Sequence, residues 1–149
     1  MTTRVVLDTN VCLDAFVFDD PRAAALVAAI DAGELEAVTR ADCRDEWIAV
    51  LGYPALKLDE ARRARAAARF DALLRVLPDE APAARPPRCR DPDDQKFLEL
   101  AAASGAAVLF SRDAQVLRLA RRTVRDGLFA ILRPEDWPPP SLSPQAPAR

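Results

Sequence analysis

Two short apolar runs constrain this chain more than anything else in it: Val5-Val6-Leu7, and Ala106-Ala107-Val108-Leu109-Phe110 after Gly105. Neither run alternates apolar with polar residues. A strand with one wet face would alternate, so each run predicts a strand buried on both faces, as in the middle of a parallel sheet covered by helices. Each run also stops on a polar cluster, Asp8-Thr9-Asn10 in the first case and Ser111-Arg112-Asp113 in the second. Three weaker strand patterns accompany them, at Glu36-Ala37-Val38-Thr39, Arg75-Val76-Leu77 and Leu128-Phe129-Ala130-Ile131-Leu132.

Helical patterns separate these strands. Asp19-Asp20-Pro21 opens a helix through Leu26, Val27 and Ile30 that Gly33 closes. A second, from Arg40 to about Leu51, turns Trp47, Val50 and Leu51 inward with Asp42 and Glu46 beside that face. Asp59 caps a third through Phe70 to Leu74. Asp91 and Pro92 begin a fourth, as N-cap and first helical residue, and a fifth follows Asp113 through Val116, Leu117 and Leu119-Ala120. Strands alternating with helices predict an α/β fold, a three-layer α/β/α sandwich on a mostly parallel sheet with right-handed crossovers. A chain of 149 residues suits one domain. That domain is expected over residues 1–137, with Trp137 anchoring its end and the Pro-rich residues 138–149 as a disordered tail. Residues 78–91, rich in Pro and Arg, read as a long loop of the kind that is often functional.

The chain has no histidine, which excludes Ser-His-Asp and Cys-His catalysis and any imidazole metal site. Its three cysteines, Cys12, Cys43 and Cys89, are far apart and suggest neither a disulfide framework nor a zinc knuckle. There is no apolar run of membrane-spanning length and no signal-peptide pattern, from which a cytoplasmic location is expected. Net charge is −2, yet nearly all the positive charge is arginine, grouped at residues 62–69, 85–90 and 118–125. Such groups bind phosphate beside an acidic centre, or form solvated helix faces.

In a parallel sheet all strands end on one edge, and returning helices begin there. Asp8 and Asp113 therefore share that edge with Asp94, whose position in the first helical turn puts it on the face of Phe97 and Leu98. Asp8, Glu46, Asp94 and Asp113 are the candidate site, with Asp93 and Asp42 as auxiliaries. Gathered carboxylates repel one another unless a cation or protons neutralise them. With no imidazole or paired thiol, the cation expected is Mg2+ or Mn2+, which suits phosphodiester hydrolysis. Three other readings stand beside this one: acids that only cap helices and complement their dipoles, a catalytically silent RNA- or antitoxin-binding module, and an Asp-nucleophile phosphatase. The last wants a second acid two residues after the strand-end Asp, where this chain has Asn10.

Taken together, Val5-Val6-Leu7-Asp8-Thr9-Asn10, the helical Glu46-Trp47 with Val50-Leu51, Asp91-Pro92-Asp93-Asp94 with Lys96-Phe97-Leu98, and Leu109-Phe110-Ser111-Arg112-Asp113 with Leu117 resemble the PIN-domain family. The nearest likeness is to the VapC-like toxin branch of bacterial toxin–antitoxin systems. The resemblance implies a metal-dependent ribonuclease that prefers single strands, with Asp8, Glu46, Asp94 and Asp113 as metal ligands. Asn10 and Ser111, auxiliaries to the site, would orient ligands or phosphate; Arg112, by its place between Ser111 and Asp113, is the arginine expected to hold the RNA, or else a surface arginine with no partner. It also implies a small antitoxin partner and a homodimer. Ala114-Gln115-Val116 departs from the more acidic continuation usual there, which bears on helix packing.

Overall fold

The computed structural model describes residues 2–139, so the last ten residues of the expected tail lie outside the described residues. Five parallel strands, β1 (Thr3–Leu7), β2 (Leu35–Thr39), β3 (Leu74–Val76), β4 (Val108–Phe110) and β5 (Ala130–Leu132), form one sheet in the order β3-β2-β1-β4-β5. The two continuous apolar runs are β1 and β4, and they pair side by side, Val5 with Val108 and Leu7 with Phe110. The helices are α1 (Thr9–Phe16), α2 (Ala24–Asp31), α3 (Ala41–Leu51), α4 (Glu60–Leu73), α5 (Gln95–Ser104), α6 (Ala114–Leu117) and α7 (Ala120–Arg125).

Strand side chains alternate between faces, so β1 and β4 divide their residues between two cores. Val5, Leu7, Val108 and Phe110 pack with α1, α2, α3 and α4. Val6 and Leu109 pack with α5 and α6 on the other face, joined by Cys43, Cys89 and Ile131. This is the expected three-layer α/β sandwich. The first core is centred on aromatic rings: Trp47 stacks on Phe70 at 5.4 Å, and Phe16 meets both edge-on. All three cysteines are buried and free, as small apolar residues. Trp137 meets Phe110 edge-on at 6.2 Å and so fastens the end of the described chain to β4.

Local differences from the sequence reading are instructive. The sequence reading places no helix between Asp8 and Asp19, but α1 starts at Thr9, directly after Asp8. Pro21–Ala23 and Pro92–Asp94 are 3-10 turns that precede α2 and α5, since a proline in the first turn fits either helix type. The fifth helix is two short helices, α6 and α7. Residues 77–91 hold no helix or strand, as expected, and Gly105 ends α5 with φ 71°.

The order of strands decides where a ligand can sit. From β1 the chain adds β2 and β3 on one side, then returns to place β4 and β5 on the other. Helices leave β1 and β4 toward opposite faces, which opens a crevice at their carboxyl ends.

Candidate active site

Asp8 follows β1 directly, and its N–H donates to the carbonyl of Phe110 at 2.9 Å, so it is held at the crevice by strand pairing itself. It stands at the N-cap position of α1 without a side-chain capping bond, leaving its carboxylate for other uses. One oxygen, Oδ2, accepts from Ser111 Oγ at 2.7 Å. Ser111 is fully buried, and its Oγ accepts in turn from the Asp113 N–H at 3.0 Å. Asn10 Oδ1 accepts from the Arg112 N–H at 3.2 Å. Asn10 and Ser111 thus stitch the ends of β1 and β4 together and fix the approach of Asp8 to Asp113.

Three acids converge in the crevice. One carboxylate oxygen from each of Asp91, Asp94 and Asp113 lies within 4.8 Å of the others. Asp113 spends Oδ1 on the Gln115 N–H at 2.7 Å, as the cap of α6. Asp91 spends Oδ1 on the Asp93 N–H at 2.9 Å, as the cap of the turn before α5. Asp94 makes no capping bond, and its buried Oδ2 has no hydrogen-bond partner at all. A buried carboxylate oxygen left unpaired is costly unless something else satisfies it.

The electrostatics agree with crowding. Burial pushes the Asp8 carboxyl up to about 6, with the Ser111 hydrogen bond opposing and the charges of Glu46 and Asp113 adding to the rise. Burial also pushes Asp94 up to about 7, reinforced by the charges of Asp8, Asp113 and Asp91. The donor set is oxygen only, with acids that resist ionising together and an orphaned oxygen among them. That arrangement fits a hard divalent cation.

Glu46 is placed by its neighbour: Trp47, locked in the aromatic core, sets the rotation of α3. Thr9 Oγ1 donates to one Glu46 oxygen, and Lys96 Nζ meets the other at 2.7 Å. Lys96 also donates to the Asp93 carbonyl at 2.5 Å and lies 5.3 Å over the Phe97 ring. Glu46 is therefore near enough to act on Asp8 but stands outside the trio, already matched by a cation. Changing Lys96 to Met removes that match and leaves a half-buried carboxylate beside Asp8. The expected cost is about 1–2 kcal/mol, between exposed and buried ion pairs. Arg44→Met, which breaks the more exposed pair with Asp71, serves as the reference in thermal melts and should cost less.

Other expected site residues lie elsewhere. Arg112, expected to hold RNA, is taken up by Asp14 and by Glu135, the latter at 2.8 Å. Through these two pairs it ties α1 to the turn before Trp137. Asp93 is exposed and offers its backbone carbonyl, while Asp91 occupies the place in the trio. An extended N-cap residue followed by a 3-10 turn puts the first and fourth residues of that segment together, so the fourth-residue spacing of Asp91 and Asp94 was the available signal. Asp42 is paired with Arg40 at 2.9 Å and belongs to α3 and its surroundings.

The sequence profile of the family described as PIN domain matches residues 4–115, which takes in Asp8, Glu46, Asp91, Asp94 and Asp113. No curated protein matches the chain.

Proposed function

The chain belongs to the PIN-domain family, whose function is of the nuclease type, and from that premise we propose that it is a divalent-metal-dependent endoribonuclease. The observation that carries the proposal is the buried Asp94 Oδ2, unpaired among the carboxylates of Asp91 and Asp113 and within the field of Asp8. Asp91, Asp94 and Asp113 would hold Mg2+ or Mn2+, with Asp8 buried beside them and Glu46, matched by Lys96, next to Asp8. Bound there, the ion supplies activation of a water and neutralisation of charge on the phosphate.

The rest follows from the chain's own groups. Ser111 holds Asp8 by one oxygen and so aims the other into the crevice. The Gln115 N–H does the same for Asp113. Thr9 and Lys96 hold Glu46 in place, and the ammonium of Lys96 keeps the pocket less negative for an incoming phosphate. Such orienting bonds beyond the ligands typically change metal affinity or activity 10- to 100-fold.

The domain is taken as residues 1–137. The biological setting we propose is that of a cytoplasmic toxin restrained by a small antitoxin and able to form a homodimer. No described helix is long and apolar enough to cross a membrane.

End-labelled single-stranded RNA incubated with the protein should be cut internally with Mn2+ or Mg2+ present and left intact with EDTA. Calorimetric titration with Mn2+ alone decides between this reading and a silent binding module. Uptake of Mn2+ together with cleavage supports the enzyme, and neither uptake nor cleavage overturns it.

A further inference from the structure

Resting on the ribonuclease reading, we propose that the segment Pro87–Arg90 is a phosphate rail: Arg88 and Arg90 receive the backbone of single-stranded RNA and lead it into the acidic crevice.

An acidic pocket in a chain of net charge −2 repels the polyanion it is to cut, so a substrate strand needs cations close by. Arg112 is engaged elsewhere. The residues leading into Asp91 are not. Along Pro87-Arg88-Cys89-Arg90 burial alternates, with Pro87 and Cys89 buried and Arg88 and Arg90 exposed. That alternation is built. Cys89 packs in the core with Phe97 and Leu98. The buried Gln95, one residue after Asp94, accepts from the Cys89 N–H at 2.6 Å and donates to the Pro87 carbonyl at 3.2 Å. A side-chain amide thus clamps the segment by both a donor and an acceptor to the helix that carries Asp94. Arginines that pack on the fold are taken up in ion pairs, Arg4 with Glu36, Arg40 with Asp42 and Arg44 with Asp71. Arg88 and Arg90 have no ion-pair partner among the described residues.

Geometry suits the ligand. Two residues of chain advance at most about 6.6 Å, and the long arginine side chains on them bring their guanidinium groups within reach of successive phosphates of a strand. Guanidinium forks at that repeat meet one phosphate each by paired N–H donation. Arg90 precedes Asp91 directly, so a phosphate bound there leaves the next linkage at the mouth of the crevice. Neither arginine offers anything that distinguishes one base from another, so the rail selects for a phosphate backbone and not for sequence.

The test compares the wild-type protein with R88A/R90A, and with R62A/R63A on the exposed side of α4 as the control. On a ten-nucleotide single-stranded RNA with Mn2+, R88A/R90A should raise KM about 10-fold or more with kcat within 2-fold, and the control should change neither. The salt dependence of RNA binding, followed by fluorescence anisotropy in EDTA, should lose a slope of about 1.4, or 0.7 for each phosphate contact. Hydrolysis of bis(p-nitrophenyl) phosphate, too short to reach the rail, should be unchanged. An unaltered KM and salt slope would overturn the proposal, as would an equal loss on both substrates. Gln95→Ala keeps both arginines but frees the segment and should raise KM in the same direction. If the wild type hydrolyses neither substrate, the ribonuclease reading fails and the anisotropy slopes alone decide the rail.

Discussion

Asp94→Asn is expected to abolish metal-dependent RNA cleavage, by more than about 100-fold, while leaving the metal-free protein at least as stable as the wild type. The two halves of that result test different things. Loss of a group that orients a metal ligand costs about 10- to 100-fold, so loss of a ligand should exceed it. Stability should not fall, because Asp94 makes no capping bond that Asn could lose, and it does stand in the repulsive field of Asp8, Asp113 and Asp91. Asn also offers an N–H2 donor to the surrounding carboxylates. A residue that merely began α5 would behave oppositely, with up to about 1 kcal/mol lost on removal of a cap and cleavage intact. Asp91→Ala supplies the contrast, since Asp91 does accept from the Asp93 N–H and alanine cannot. Thermal melts in EDTA and single-turnover cleavage in Mn2+, on the same preparations, read both halves.

The second large effect is a dependence of metal-free stability on pH, opposite in sign to that of most acidic residues. Asp8 and Asp94 have folded values of about 6 and about 7 against an ordinary carboxyl value of 3.8. Between those limits the native protein holds more protons than the unfolded chain, so its stability falls as pH rises. The contribution is fully present below about 3.8 and is lost as pH passes through 6 to 7. For Asp8, which is deeply buried, it is of the order of 3 kcal/mol. At the acid end the ion-paired carboxylates work the other way. Glu36, Asp42 and Asp71 are held below their usual range by arginine hydrogen bonds, and their stabilisation fades as pH falls below about 4. Melting temperature in EDTA should therefore peak near pH 4–5 and decline towards pH 8. At pH 8, Mn2+ at about 100 times its Kd should return about 2.7 kcal/mol, or roughly 5–10 °C for a domain of this size. The same Mn2+ should do little at pH 5, where protons hold the site. A flat profile in EDTA, or an equal response to Mn2+ at both pH values, would mean that the acids are not crowded.

The sheet was legible because its two central strands are apolar without alternation, and nothing but burial on both faces accounts for that. Once parallel strands are granted, Asp8, Asp94 and Asp113 fall at one edge; the carboxylates that close on one another there are Asp94 and Asp113 with Asp91, while Asp8 is buried beside them. What the sequence concealed depends on single turns and on pairings across the fold. Asp91 and Asp93 read alike in the chain; only the 3-10 turn turns the first inward and the second outward. Arg112 stands between Ser111 and Asp113 and reads as a ligand-facing cation, but Asp14 lies ninety-eight residues away in sequence and claims it. Lys96 was hidden by its helix, where a lysine two residues past an acid is ordinary surface. Its partner Glu46 sits on α3, and no periodicity links the two.

The bond from Ser111 to Asp8 joins residues separated by 103 positions. Every piece of the pocket is inert alone: an emerging polypeptide that has completed β1, α3 and α5 still lacks the hydroxyl that aims Asp8 and the acid that closes the trio. The crevice is therefore whole only once β4 has paired with β1 and brought Ser111 and Asp113 to the end of Asp8's strand.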